Sequence, residues 1–293
     1  MKELVFIHGR SQEKKDSGAL KAEWIAAWKE GLQKSNLRMP LEEKDIRFPY
    51  YGQTLYDLVS GVPADEAAEI VIRGTRGSPA QQNFVNSVIM ETADRLGMLP
   101  EEIAEASGEL VIRRGPLNWK WVQGILRLVD QKVPGGSGAA IALFTNDVYH
   151  YLYNDVIGED IDGGVGKAIK ARLPTVVVAH SLGTVVGYRL LSRDGTKSNW
   201  NVPLFVTLGS PLGVTAIHDA LMPVRHPECA DKWHNAMDMR DVVALYPLDK
   251  DRFDVTPAIE NNTDVRNGTS NRHGIKGYLS DKDVARRLYD AVQ

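Results

Sequence analysis

The chain is poor in the features that several protein classes require. It holds one cysteine, Cys229, among 293 residues. A single thiol excludes an intramolecular disulfide and fits a reducing compartment, so a cytoplasmic location is expected. No apolar run is long enough for a secretory signal or a membrane span. The N-terminal run over residues 4–7 is far too short for either and reads as a first strand. Charge of one sign is also scarce. The formal net charge is -3 with both signs mixed, which gives no support for nucleic-acid binding. Zinc spacing is missing: His226, Cys229 and His234 match no common pattern, and a fourth ligand is not evident. A phosphate loop is missing too. The stretch Gly163-Gly164-Val165-Gly166-Lys167 would need a glycine at 161 and a hydroxyl residue at 168, but those positions are Ile161 and Ala168.

What remains is an ordinary globular composition, 43% hydrophobic and 25% charged. The length suits one large α/β domain with an insertion, or two small domains, and buries a large core without staples. The most informative stretch is Val176-Val177-Val178-Ala179-His180-Ser181-Leu182-Gly183. A β-branched run ends in a small residue, a His, a Ser, one more residue and a Gly. A helical pattern through Val185, Val186, Tyr188 and Leu190 follows at once. Strand, sharp turn and helix is the context that lifts a serine hydroxyl above a sheet edge. The turn needs small neighbours, and Ala179 and Gly183 are small.

Around this stretch the chain alternates. Residues 4–7 form a short apolar run of the kind buried on both faces. Leu20, Trp24, Ile25, Trp28 and Leu32 share one helical stripe, and 45–48 reads as a second strand. Strand, helix and strand with short links imply a parallel pair with a right-handed crossover. Residues of about 50–138 break the rhythm. Helices are expected over 83–96, from 100 to 106, and over 119–129, followed by a flexible Gly-rich joint at 133–138. A helix is expected over 147–155, with Val148, Tyr151, Leu152 and Val156 on one face. Later strands are expected at 203–208, 233–239 and 264–267, and a closing amphipathic helix at 283–292.

The turn at Ser181 resembles the α/β-hydrolase superfamily, in the form with Ala for the first Gly of Gly-x-Ser-x-Gly. The resemblance covers residues 1–50 and about 140–293. Its flavour is that of a lipase- or esterase-like serine hydrolase, akin to the bacterial lipase-like and GPI-inositol-deacylase-like groups. It implies a single domain over 1–293, with a mostly parallel sheet flanked by helices; the helices of about 50–138, which match no family pattern, read as a cap inserted between its core strands. His8-Gly9 after the first strand resembles the opening of an oxyanion-hole loop, which makes the backbone N–H groups of Arg10 and Leu182 the expected donors. Asp147-Val148-Tyr149-His150-Tyr151-Leu152 and Gly209-Ser210-Pro211-Leu212-Gly213 are further soft likenesses. Trp233, Asn235 and Asp241 resemble the acid-bearing loop, with Asp241 preferred to Asp238. His273 in a Gly/Ser/Asn-rich loop completes the order Ser181, Asp241, His273.

That order implies cleavage of carboxylic esters, acyl lipids among them, through an acyl-enzyme. His8, Gly9, Ser210, Trp119 and Trp121 are the implied substrate-binding residues, with a small-molecule or lipid ester as partner. No metal or cofactor is called for. The helix with Trp119, Trp121, Lys120 and Arg127 reads either as a lid meeting lipid at a membrane surface or as a core-packed helix, and the second is favoured. Alternatives to the ester hydrolase stay open: a non-catalytic ligand sensor or interaction module on the same fold, or a triad peptidase, thioesterase or acyltransferase.

Overall fold

The computed structural model describes residues 2–9, 16–52, 77–108 and 119–293. Strand β1 (Glu3–Ile7) leads into helix α1 (Ser17–Gln33), whose N-terminus is capped by Asp16. Strand β2 (Ile46–Arg47) follows. Helices α2 (Pro79–Arg95), α3 (Pro100–Ser107) and α4 (Trp119–Lys132) come next, then α5 (Gly138–Tyr153) and α6 (Asp155–Gly166). Strand β3 (Thr175–His180) runs into α7 (Leu182–Asp194). Then come β4 (Phe205–Leu208), α8 (Thr215–Leu221), β5 (Trp233–Ala236) and β6 (Glu260–Asn262). Helices α9 (Ile275–Leu279) and α10 (Lys282–Val292) close the chain.

Among the described residues, the strands form one 6-stranded sheet in the order β2-β1-β3-β4-β5-β6. Every neighbouring pair is parallel. A parallel sheet must be covered on both faces, and the period of two along each strand divides its side chains between two cores. Val5, Ile7, Val177 and Ala179 pack with residues of α5, α6 and α7, including Tyr151, Ile161 and Val185. Leu4, Phe6, Val176 and Val178 face the other way, onto Trp24 and Trp28 of α1 and Leu288 of α10. The chain is therefore an α/β protein with helices on both sides of one sheet.

Helices α2, α3 and α4 build a third apolar cluster with one end of α5, through Ile89, Ile103, Trp121, Ile125 and Ile141. The same cluster includes Val242, beside the expected acid. Helix α2 is fastened to the layer beneath. The Glu91 carboxylate accepts from the Thr215 N–H and hydroxyl, both at 2.9 Å, and pairs with Arg252 at 3.1 Å. Arg95 Nε donates to the Leu245 carbonyl at 2.9 Å. The cap expected at about 50–138 falls in part outside the described residues.

Several boundaries differ from expectation. Helix α5 begins at Gly138, well before 147, and Val156 lies on α6, where it is 65% exposed. The expected joint is a capped turn. Ser137 Oγ accepts from the Ala140 N–H, and Asp130 accepts from the Gly138 N–H at 2.8 Å. Strand β5 ends at Ala236, so Asp238 lies past it. The edge strand is β6 at 260–262, and Asp264 makes only an isolated bridge to Asp238. The Gly163–Gly164 pair sits inside α6, away from any strand end. No helix among the described residues is long and apolar enough to cross a membrane.

Candidate active site

The strand order dictates where a crevice opens. From β1 the chain passes to β2 on one side, while β3 lies on the other. Such a reversal leaves a gap at the carboxyl ends of the two adjacent strands β1 and β3. Gly9 follows β1 there and Ser181 follows β3.

Ser181 has φ 57° and ψ −129°, a conformation that non-glycine residues rarely adopt and that costs about 1–3 kcal/mol. Its surroundings hold it there. Its N–H donates to the Leu208 carbonyl at 3.1 Å, and its carbonyl accepts from the Thr184 N–H at 2.9 Å and the Thr184 hydroxyl at 2.7 Å. The small residues have steric causes. A Cβ on Gly183 would collide with the carbonyl oxygens of Ile7 and His8, and one on Gly9 would lie 2.9 Å from the Ser181 Cβ. We expect Gly183→Ala to lower stability by about 1–3 kcal/mol through backbone overpacking. Denaturant unfolding measures this, and an unchanged midpoint would contradict the close approach.

The three expected residues converge. His273 Nδ1 lies 2.7 Å from Asp241 Oδ2, and His273 Nε2 lies 2.8 Å from Ser181 Oγ. An ionised carboxylate only accepts, so Nδ1 carries the proton and Nε2 is left to accept from the serine hydroxyl. Asp241 is buried. Burial alone would raise its pKa. The His273 charge, the bonds from His273 and Tyr278, and the Val243 N–H outweigh this and hold the carboxyl below its usual range.

The loop that carries His273 is built from amide side chains. Asn267 Oδ1 accepts from the Thr269 N–H at 3.0 Å, and Asn267 Nδ2 donates to the Gly274 carbonyl at 2.9 Å. Asn271 Oδ1 accepts from the His273 N–H at 3.1 Å. Asp238, the competitor for the acid, anchors the base of this loop. Its Oδ2 accepts from the Asn267 N–H at 2.8 Å, and Arg240 grips both of its oxygens.

His180 packs beside the site with its Nε2–H donating to the His273 carbonyl at 2.7 Å. Burial, and after it the nearby His273 charge, push its pKa down to about 3, so it stays neutral. Leu182 is the first residue of α7, where an N–H has no intrahelical acceptor and faces outward from the helix end. Arg10, the other expected donor, lies outside the described residues.

Ser181 and His273 open into a cavity of about 480 Å³. Leu20 and Trp24 of α1 line one part; Ala140, Ile141 and Phe144 of α5 line another, with Val242 and Val243. Of the expected substrate-binding residues, Gly9 lines it. His8 is fully buried, its Nε2 accepting from the Tyr51 N–H and its Nδ1 donating to the Gly9 carbonyl. Ser210 is buried against the Thr184 hydroxyl at 2.9 Å. Trp121 is buried among α2, α3 and α4, and Trp119 packs on that cluster. None of these four is among the residues that line this cavity.

Sequence reasoning missed Tyr278 and the α5 face, and it reached Gly209 only as part of the Gly209-Ser210-Pro211-Leu212-Gly213 likeness. In the sequence Leu20 and Trp24 show only as members of one helical stripe. In comparisons with known proteins, no family model, no curated protein and no solved structure matches this chain.

Proposed function

We propose that the chain is a serine hydrolase of the α/β-hydrolase fold that cleaves carboxylic esters through an acyl-enzyme. The observation that carries this reading is the unbroken hydrogen-bonded series from Ser181 through His273 to Asp241 at the strand switch point. A neutral serine is a weak nucleophile near pH 7. His273 takes its proton as Oγ attacks the ester carbonyl, then passes that proton to the leaving alcohol. Asp241 holds the imidazole in the productive tautomer and stabilises the imidazolium. The Leu182 N–H at the positive end of α7 serves the developing oxyanion, with a contribution of about 3–4 kcal/mol in comparable sites. Water then repeats the cycle on the acyl-enzyme. The test is covalent labelling by a fluorophosphonate, compared between the wild type and Ser181→Ala.

The cavity walls indicate the acyl group. Leu20 and Trp24 of α1 with Ala140, Ile141 and Phe144 of α5 form an apolar wall that suits an uncharged acyl chain, while Glu23, Ser137, Thr269, Asn271 and Lys276 also line the cavity. Each methylene buried contributes about 0.8 kcal/mol, or about fourfold in rate. Rates on esters of rising acyl length should therefore climb to an optimum. Ala140 lines the cavity from an exposed position on α5. Ala140→Phe should shift the optimum to shorter chains, while Trp119→Ala should leave it in place. A flat length profile, or an optimum governed by Trp119, would assign selectivity to a different wall.

A further inference from the structure

Tyr278 lies on α9 and is fully buried. Its hydroxyl donates to Asp241 Oδ2 at 2.6 Å. The same oxygen accepts the His273 Nδ1–H at 2.7 Å. The other oxygen, Oδ1, accepts from the Val243 N–H at 2.8 Å and the Ala244 N–H at 3.3 Å. The phenol oxygen is itself oriented, since it accepts from the Asp238 N–H at 3.2 Å. Burial, followed by the Asp241 charge, drives the Tyr278 pKa well above its ordinary value, so the phenol keeps the proton it donates.

Gly209 leaves room for this arrangement. Its φ is +56°, and an added Cβ would stand 2.9 Å from Tyr278, 3.2 Å from Asp241 Oδ2 and 3.2 Å from His273. Three functional groups therefore meet at one bare backbone position. His273 and Tyr278 also flank the same turn into α9, so a single short segment grips one carboxylate oxygen from two directions.

We propose that Tyr278 is a positioning residue that sets the strength of the Asp241–His273 hydrogen bond, and through it the basicity of the imidazole facing Ser181. The inference rests on the serine-hydrolase reading. A carboxylate oxygen shares its electron density among its donors. Removing one donor concentrates that density on the other and raises its proton affinity. Without the phenol, the bond to His273 tightens and the imidazole becomes more basic. With a more acidic phenol in the same place, the bond to His273 loosens.

The neighbouring charges do not mimic this effect. Asp238 is paired with Arg240, and the exposed Lys276 lies 3.8 Å from Glu30 of α1. His180, its ring centroid 5.9 Å from that of Tyr278, is neutral above about pH 3. Trp24 and Gly209 bring no charge.

The test compares Tyr278→Phe with a protein carrying 3,5-difluorotyrosine in place of Tyr278. Two quantities are read: the proton NMR resonance of the His273 Nδ1–H, and the pH dependence of fluorophosphonate labelling. In Tyr278→Phe the resonance should move downfield, and the low-pH limb of labelling should rise by about half to one pH unit. The difluorotyrosine protein should shift both in the opposite direction. A packing role predicts shifts of one sign or none, and either result in folded protein overturns the proposal. If Tyr278→Phe fails to fold, the difluorotyrosine protein keeps the shape and decides alone. If the resonances move in opposite directions but the wild type never labels, the hydrolase reading fails and the positioning of His273 by Tyr278 stands.

Discussion

Ser181→Ala is expected to abolish fluorophosphonate labelling and to lower ester turnover by about 10⁶-fold, while the protein stays folded. In the proposed reaction the hydroxyl is the atom that forms the acyl bond, and among the described residues its partner is His273 Nε2 at 2.8 Å. Alanine keeps the Cβ and the backbone hydrogen bonds to Leu208 and Thr184, so the strained turn survives. His273→Ala should cost about as much, and the double variant little more, because the two residues act as one unit. The residual rate would come from the oxyanion donors and substrate binding. Thermal unfolding should show a midpoint equal to or above that of the wild type, since functional polar groups are held against local preference. Equal labelling of both proteins, or none of the wild type, would remove the ester-hydrolase reading and favour a ligand-binding module on the same fold.

The parts of this molecule that were legible in the sequence are those governed by local rules. The run from Val176 to Ala179 is buried on both faces, so it reads as a continuous apolar strand. The turn at Ser181 announces itself because the backbone after β1 passes close by, and a Cβ at 183 would collide with the carbonyl oxygens of Ile7 and His8. Strand β6 obeys no such rule. It is a polar edge strand, Glu260-Asn261-Asn262, held by pairing with β5 and by Asn235 Nδ2 donating to Asn261 Oδ1 at 2.9 Å. The strand expected at 264–267 lies downstream of it, around the buried Val265.

Glycines misled in a related way. The cluster at 135–138 resembles a hinge, yet Gly138 starts α5 and leaves no room for a Cβ against the Leu126 carbonyl. That glycine permits two helices to pack closely. Likewise, the stripe on α4 shows an apolar face without saying what covers it. The answer is α2, α3 and α5, which leaves the cavity to be lined by α5 and α1. Tyr278 had no local signal, because its partner Asp241 is brought to it by the sheet order and by Asn267 bonding to Asp238.

Asp241 and Asp238 provide the sharpest separation of chemistry from architecture. Asp241→Asn should leave the fold intact and lower turnover by about 10⁴-fold, because an amide can no longer fix the imidazole tautomer. Asp238→Asn should lower turnover by less than about 10-fold and act mainly on stability, since it breaks the Arg240 fork beneath the His273 loop. The pH dependence follows from the direction of the shift. Burial raises the Asp238 pKa, but the bonds from Arg240 and Asn267 outweigh it and hold the carboxyl below its usual range. A depressed folded pKa contributes stability that is present above the unfolded pKa and lost as pH falls through the folded one. The stability gap between wild type and Asp238→Asn should therefore be full near pH 7 and close in the acid range below the ordinary carboxylate pKa. Denaturant midpoints measured across pH read the gap, and turnover on the same samples reads the chemistry. If Asp238→Asn proved to be the variant that loses turnover, with Asp241→Asn nearly active, the acid of the proposed triad would be Asp238.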